Sequence, residues 1–138
     1  PGEKLDLRVR ISKDGQSWQP WKAGTHHGYV QRYAENRTGF RMDVDDIFEQ
    51  GSDALRNDSL SRLNDLWFGI NEGRFLGRIV IEVHNQDGSM SLSQSRALVL
   101  AKWLVEQGSP SKLITVQGYG NHWLQKTDRG RIDILLLH

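Results

Sequence analysis

The chain has 138 residues, with 18 Lys or Arg against 17 Asp or Glu and a formal net charge of +1. That length suits one domain with a genuine core, and that balance excludes a strongly basic nucleic-acid binder. It has no cysteine, which excludes disulfides and thiolate metal sites; no apolar run approaches the roughly 20 residues that span a bilayer.

The Pro1-Gly2-Glu3-Lys4 opening is read as that of a trimmed chain, with a membrane anchor or export signal lying outside it. Leu5, Leu7, Val9 and Ile11 alternate with polar residues, the period of a half-buried strand. Asp14-Gly15 signals a turn, and Gln16 to Lys22, carrying Trp18 and Trp21, returns as a second strand. The two Trp are read as packing aromatics, with a carbohydrate platform as the sharper alternative. Residues 23–38 show no period and are expected to be a loop or connector. Residues 1–39 are therefore set apart as an N-terminal β extension, and 40–138 as the main domain.

Phe40, Met42 and Val44 alternate again, and Gly51-Ser52 reads as a strand stop followed by a helix N-cap. Leu55, Leu60, Leu63, Leu66, Trp67 and Ile70 then recur at helical spacing up to Asn71 and Gly73. Ile79 to Val83 make a β-branched strand running into His84, ended by Asn85-Gln86-Asp87-Gly88. Ser93 is placed as the cap of a second helix that stops at Gly108-Ser109-Pro110. A strand from Leu113 ends at Gly118-Tyr119-Gly120, residues 121–130 form a polar loop, and Ile132 to Leu137 form a last strand. From residue 40 onward the order is β-α-β-α-β-β. Two crossover helices between strands predict an α/β (α+β sandwich) fold, a mixed sheet with helices on one face.

Four motifs in this order resemble those of OmpA-like domains, the group that includes MotB and Pal. Phe48-Glu49-Gln50-Gly51-Ser52-Asp53-Ala54-Leu55 is similar to the family's F-x-x-G-S-x-x-L, and Leu92-Ser93-Gln94-Ser95-Arg96-Ala97 to its L-S-x-x-R-A. Val105 to Gly120 resembles the segment ending in G-Y-G, and Arg129-Gly130-Arg131-Ile132-Asp133-Ile134 stands where the family has N-R-R-V-E-I. The resemblance covers roughly residues 40–138. It implies non-catalytic binding of peptidoglycan, through the diaminopimelate of a stem peptide, with no cofactor and no metal.

There is one departure. The family carries G-H-T-D-N and a long loop after the second strand; here Gln86 stands at the position of the ligand-binding Asp, and only Ser89-Met90-Ser91 precede Leu92. Shortened relatives of this kind resemble MotB-like, SiiA-type accessory subunits of secretion systems. The resemblance therefore implies a periplasmic domain of a Gram-negative bacterium, tethered to the inner membrane and expected to be a homodimer. An inner-membrane ion-channel subunit and secretion machinery are its expected further partners.

The ligand end is a zwitterion, so it needs a partner for each charge. Arg96 is expected to hold the carboxylate, because a planar guanidinium donates two parallel hydrogen bonds. With Ser93 as cap, Arg96 would be the third helical residue, where a cation is unfavourable unless an anion joins it. Asp87 or Gln86 is expected to meet the ammonium, although Asp87 beside a glycine is by itself a turn former. His84, Asn85, Ser93 and Arg131 complete the implied set. His84 is read as a scaffold residue, with a protonation-dependent contribution to binding as the sharper hypothesis. Arg131 is read as an ion-pair partner of Asp133 or Glu82. Tyr119 is expected to be buried, and Trp123 is undecided. No nucleophile, paired-carboxylate or zinc-protease pattern is present. The alternative function is a docking or dimerisation module of a secretion complex that keeps the fold and lacks peptidoglycan binding.

Overall fold

A computed structural model of the chain describes residues 19–20, 29–34, 37–72, 77–87, 89–122, 124 and 128–137. The strand expected at residues 5–11, both N-terminal tryptophans and Trp123 lie outside the described residues. The strands are β1 (Gln19–Pro20), β2 (Tyr29–Ala34), β3 (Arg37–Asp43), β4 (Arg78–His84), β5 (Ile114–Gly120) and β6 (Arg131–Leu137). The helices are α1 (Val44–Ile47), α2 (Leu60–Glu72) and α3 (Met90–Gln107), with a single 3-10 turn at Ser111–Leu113.

The described strands form one sheet in the order β1-β2-β3-β6-β4-β5. β4 and β5 run parallel, which demands a long crossover, and α3 supplies it. The last strand, β6, inserts between β3 and β4 and is antiparallel to both, with Ile134 opposite Phe40 on one side and Ile81 on the other. The sheet is thus mixed, as expected from the element order.

Alternation along the strands sets the two faces. Phe40 and Met42, Ile79, Ile81 and Val83, and Ile132, Ile134 and Leu136 point to the core with Val44, Ile47 and Phe48. Leu63, Leu66 and Ile70 from α2, and Ala97, Leu100 and Leu104 from α3, pack in the same cluster. Each such side chain stabilises the fold by about 1.5–3 kcal/mol when fully buried. The opposite face is also buried at Val80, Glu82, His84, Asp133 and Leu135.

Three local expectations are corrected. First, within residues 23–38, β2 pairs antiparallel with β3, Gln31 opposing Gly39. Its partner lies beyond the segment, and pairing of that kind is not announced by a local period. Second, α2 begins at Leu60, not after Ser52. Residues 47–56 instead close on themselves through a Phe48–Leu55 bridge and the bonds Glu49 N–H to Ala54 O and Arg56 N–H to Ile47 O. The Ser52 hydroxyl accepts from Ala54 N–H inside that loop. Third, Ser89 caps α3, its hydroxyl accepting from Leu92 N–H, so the helix starts almost a turn before Ser93.

β5 lies so close to α3 that glycine is required at position 118. A Cβ there would come within 2.3 Å of Gln94 N. The closeness lets the Gln94 side-chain oxygen accept from Gly118 N–H at 2.7 Å, and the Ser93 hydroxyl accept from Gly120 N–H at 2.9 Å. The strand is latched to the helix that follows the β4 turn.

Candidate functional site

The C-terminal end of β4 is where the elements converge. Beyond His84, Asn85 N–H donates to Gly120 O, which keeps the turn against β5. The Asp87 carboxylate accepts from Ser89 N–H at 3.0 Å through Oδ1, a local turn that delivers Ser89 to its capping position. Counted from Met90, Arg96 is then the seventh residue of α3, not the third. The free N–H groups of the helix end are one turn away, so the argument from the helix dipole does not apply to this side chain.

A different force marks Arg96. The residue is only 4% exposed. Its Nε donates to Ser52 O at 2.8 Å, one terminal nitrogen to Asn85 Oδ1 at 2.7 Å and the other to Glu49 O at 3.2 Å, while the guanidinium lies 5.3 Å from the centre of the Phe48 ring. Asn85 is oriented for this by donating its own amide to Ser89 O. The three acceptors are all neutral. Among the described residues no carboxylate forms an ion pair with Arg96. Burial pushes its pKa below the ordinary guanidinium value, opposed at longer range by Asp87, Asp45 and Asp53. A buried cation without an opposite charge is costly. Of the five guanidinium N–H groups, the three bonds leave two for another acceptor.

Arg96 lines an open cleft of about 360 Å³, shared with Val44, Asp45, Gln50, Gly51, Asn85, Gln86, Asp87, Asp128, Arg129 and Gly130. Of the residues singled out from sequence, the cleft unites Arg96, Asn85, Gln86 and Asp87. Gln86 donates its side-chain amide to the backbone carbonyl of Asp128, tying the β5–β6 loop across the cleft. Gly130 permits the approach of that loop, since a Cβ there would lie 2.9 Å from His84 O.

His84, Ser93 and Arg131 do not line the cleft. Ser93 is buried under Gly120, and its hydroxyl also donates back to Met90 O at 3.0 Å. His84 is fully buried and stacked on Tyr119, with ring centres 5.1 Å apart. Arg131 pairs with Asp133 at 3.3 Å, and Arg41 meets the other oxygen of the same carboxylate at 2.8 Å. Burial alone pushes the Asp133 carboxyl up, but Arg41, Arg131 and His84 outweigh it, and its pKa falls below the ordinary 3.8. Glu82 takes a hydrogen bond from the buried Tyr119 hydroxyl at 3.2 Å. Glu82, His84 and Asp133 bring potential metal-ligating atoms within 4.8 Å of one another. Both Asp133 oxygens are occupied by guanidinium groups, so this set is an internal ion network.

Sequence reasoning missed Asp45, Asp128 and the contribution of the 49–52 loop. Asp45 was hidden because Val44 completes the apolar alternation of β3, which conceals the short α1. The Gly51-Ser52 signal is visible in the sequence but marks a closed loop, not a helix start.

No protein-family model and no curated protein matches this chain. Solved structures do. The cell wall anchor of the T6SS from Pseudomonas aeruginosa superposes with a TM-score of 0.69 at 15% identity, over 96% of this chain and 95% of that one. The OmpA-like domain of FopA1 from Francisella tularensis subsp. tularensis SCHU S4 gives 0.59 at 15% identity, over 87% and 86%. The periplasmic domain of Helicobacter pylori MotB gives 0.64 at 16% identity, over 87% and 83%. The chain has the OmpA-like fold.

Within this fold the four sequence motifs meet in space. The Phe48–Leu55 segment supplies two carbonyls and a ring to Arg96, the helix motif supplies Arg96 itself, and Gly118-Tyr119-Gly120 fixes the turn through Asn85 and Ser93. Gly130, from the fourth, lines the cleft.

Proposed function

We propose that this domain binds peptidoglycan without catalysis, the Arg96 guanidinium at the cleft taking a carboxylate of a diaminopimelate-containing stem peptide. The observation that carries this reading is the buried guanidinium held only by neutral acceptors beside an open cleft. An incoming carboxylate would supply the missing opposite charge and use the two remaining N–H groups as a fork. The neighbours lend support, since one is a cell wall anchor and another a periplasmic MotB domain. On this reading the chain works in the periplasm as the wall-holding part of an envelope protein. No described helix is long and apolar enough to cross a membrane. Inner-membrane tethering, a MotB-like partner channel, a role in secretion and a homodimer are parts of the proposal.

The test is co-sedimentation with purified sacculi, comparing wild type with Arg96→Lys. Lysine keeps the charge but not the planar fork, so the fraction pelleted is expected to drop by about tenfold, with circular dichroism confirming that the variant is folded. Equal pelleting of the two proteins would refute Arg96 as the carboxylate partner.

One observation favours a second reading, a protein-docking module. Gln86 spends its side-chain amide on the Asp128 carbonyl across the cleft, so a residue at the family's ammonium position is engaged within the protein. Wild type that fails to pellet with sacculi would support this reading.

A further inference from the structure

We propose that residues 1–18 lie across the second face of the sheet, with Leu5, Leu7, Val9 and Ile11 packing on Val80, Tyr119 and Leu135. The N-terminal extension is then a layer of this domain and not a part set off from it. The burial of that face carries the proposal. Val80, Glu82, His84, Tyr119, Asp133 and Leu135 are between 0% and 8% exposed. Yet α2 and α3 both pack on the other face, and Val80, Tyr119 and Leu135 take no part in the core formed there. Among the described residues the polar contacts of the second face run within the sheet: Arg41 and Arg131 to Asp133, Tyr119 to Glu82, and His84 stacked on Tyr119. Side chains standing up from a single layer keep their outer ends in water, so burial this deep needs another layer above them.

The chain outside the described residues offers few candidates for that layer. Residues 73–76 join α2 to β4, and residues 21–28 have to return from Pro20 to its paired partner Tyr29. Residues 1–18 are the longest such stretch, and they end at Gln19, where β1 forms one edge of the sheet. In the strand order β1 lies four spacings from β4, about 19 Å. The eight residues from Ile11 to Gln19 reach about 26 Å when extended. That is enough to lay the alternating stretch over β6 and β4. Its apolar side then meets Val80 and Leu135, and its polar side, with Asp6, Arg8 and Arg10, meets water.

The test uses the whole chain. Because it has no cysteine, a nitroxide can be attached at one position, Arg8→Cys, on the polar side of the alternation. The label is expected to erase the amide NMR signals of Val80 to Glu82 and Asp133 to Leu135, and to spare Phe68 and Leu98, which are exposed on the helix layer. Urea unfolding adds an independent measurement. Val9→Asp should lower the midpoint by about 1 M or more, and Arg10→Asp by less than about 0.3 M. Signals of β4 and β6 that survive, or that fade no more than those of Phe68 and Leu98, overturn the proposal. Equal midpoint shifts in the two variants also overturn it. A Val9→Asp chain that does not fold agrees with it, and the nitroxide result on the folded Arg8→Cys chain then decides.

Discussion

Two arginine environments lie on either side of the β4 strand end, and they differ in what answers the charge. Behind the strand, Arg41 and Arg131 share the Asp133 carboxylate, which is fully buried. At the cleft, Arg96 is buried almost as deeply, yet it meets two backbone carbonyls and an amide. The first set closes electrostatically within the protein and acts on stability. The second has no counter-charge in direct contact among the described residues, and the proposed carboxylate would supply one. Burial alone therefore does not distinguish the two environments; the charge of the acceptors does.

The contrast can be broken most severely at Asp133. Asp133→Asn leaves two guanidinium groups without their shared counter-charge and is expected to cost about 3–5 kcal/mol in urea unfolding. Sacculus binding by the remaining folded protein should be unchanged, since Asp133 does not line the cleft; a loss of binding with little loss of stability would reverse the roles assigned to the two sites.

A gentler form of the same test is acid. The folded-state pKa of Asp133 lies below its ordinary value of 3.8. Its contribution is thus complete above that value and is lost as pH falls through the lower, folded pKa. Wild type should show an acid limb in its unfolding free energy below about pH 4, and Asp133→Asn should flatten it. An unchanged limb in the variant would place the responsible carboxylate elsewhere.

The smallest expected effect sharpens the cleft side. Ser89→Ala removes the cap of α3 and should cost about 1 kcal/mol in urea unfolding. If Ser93 were the cap instead, Ser89→Ala would be nearly silent.

Much of the fold was legible because periodicity reports which side of an element meets the core. The alternation of Phe40 and Met42, and of Ile132 and Ile134, correctly announced strands. The Leu63, Leu66 and Ile70 spacing announced α2. Less legible were places where polar groups decide. Ser89 and Ser93 are both reasonable caps, and the choice fell to Asp87, whose turn brings Ser89 to the first free N–H groups and leaves Ser93 to hold Gly120. β2 is not announced locally, because its pairing with β3 depends on a partner outside the segment.

The sequence by itself determined the order of elements, the mixed sheet and the candidacy of Arg96, because hydrophobic period and local motif are properties of neighbouring residues. Only the tertiary structure decided that Arg96 faces neutral acceptors, that Arg131 belongs to Asp133, and that Asp45 shares the cleft. Those facts depend on which distant groups are brought within a few ångströms, and charge pairing at that range is set by the packing of β3, β4, α3 and the β5–β6 loop together.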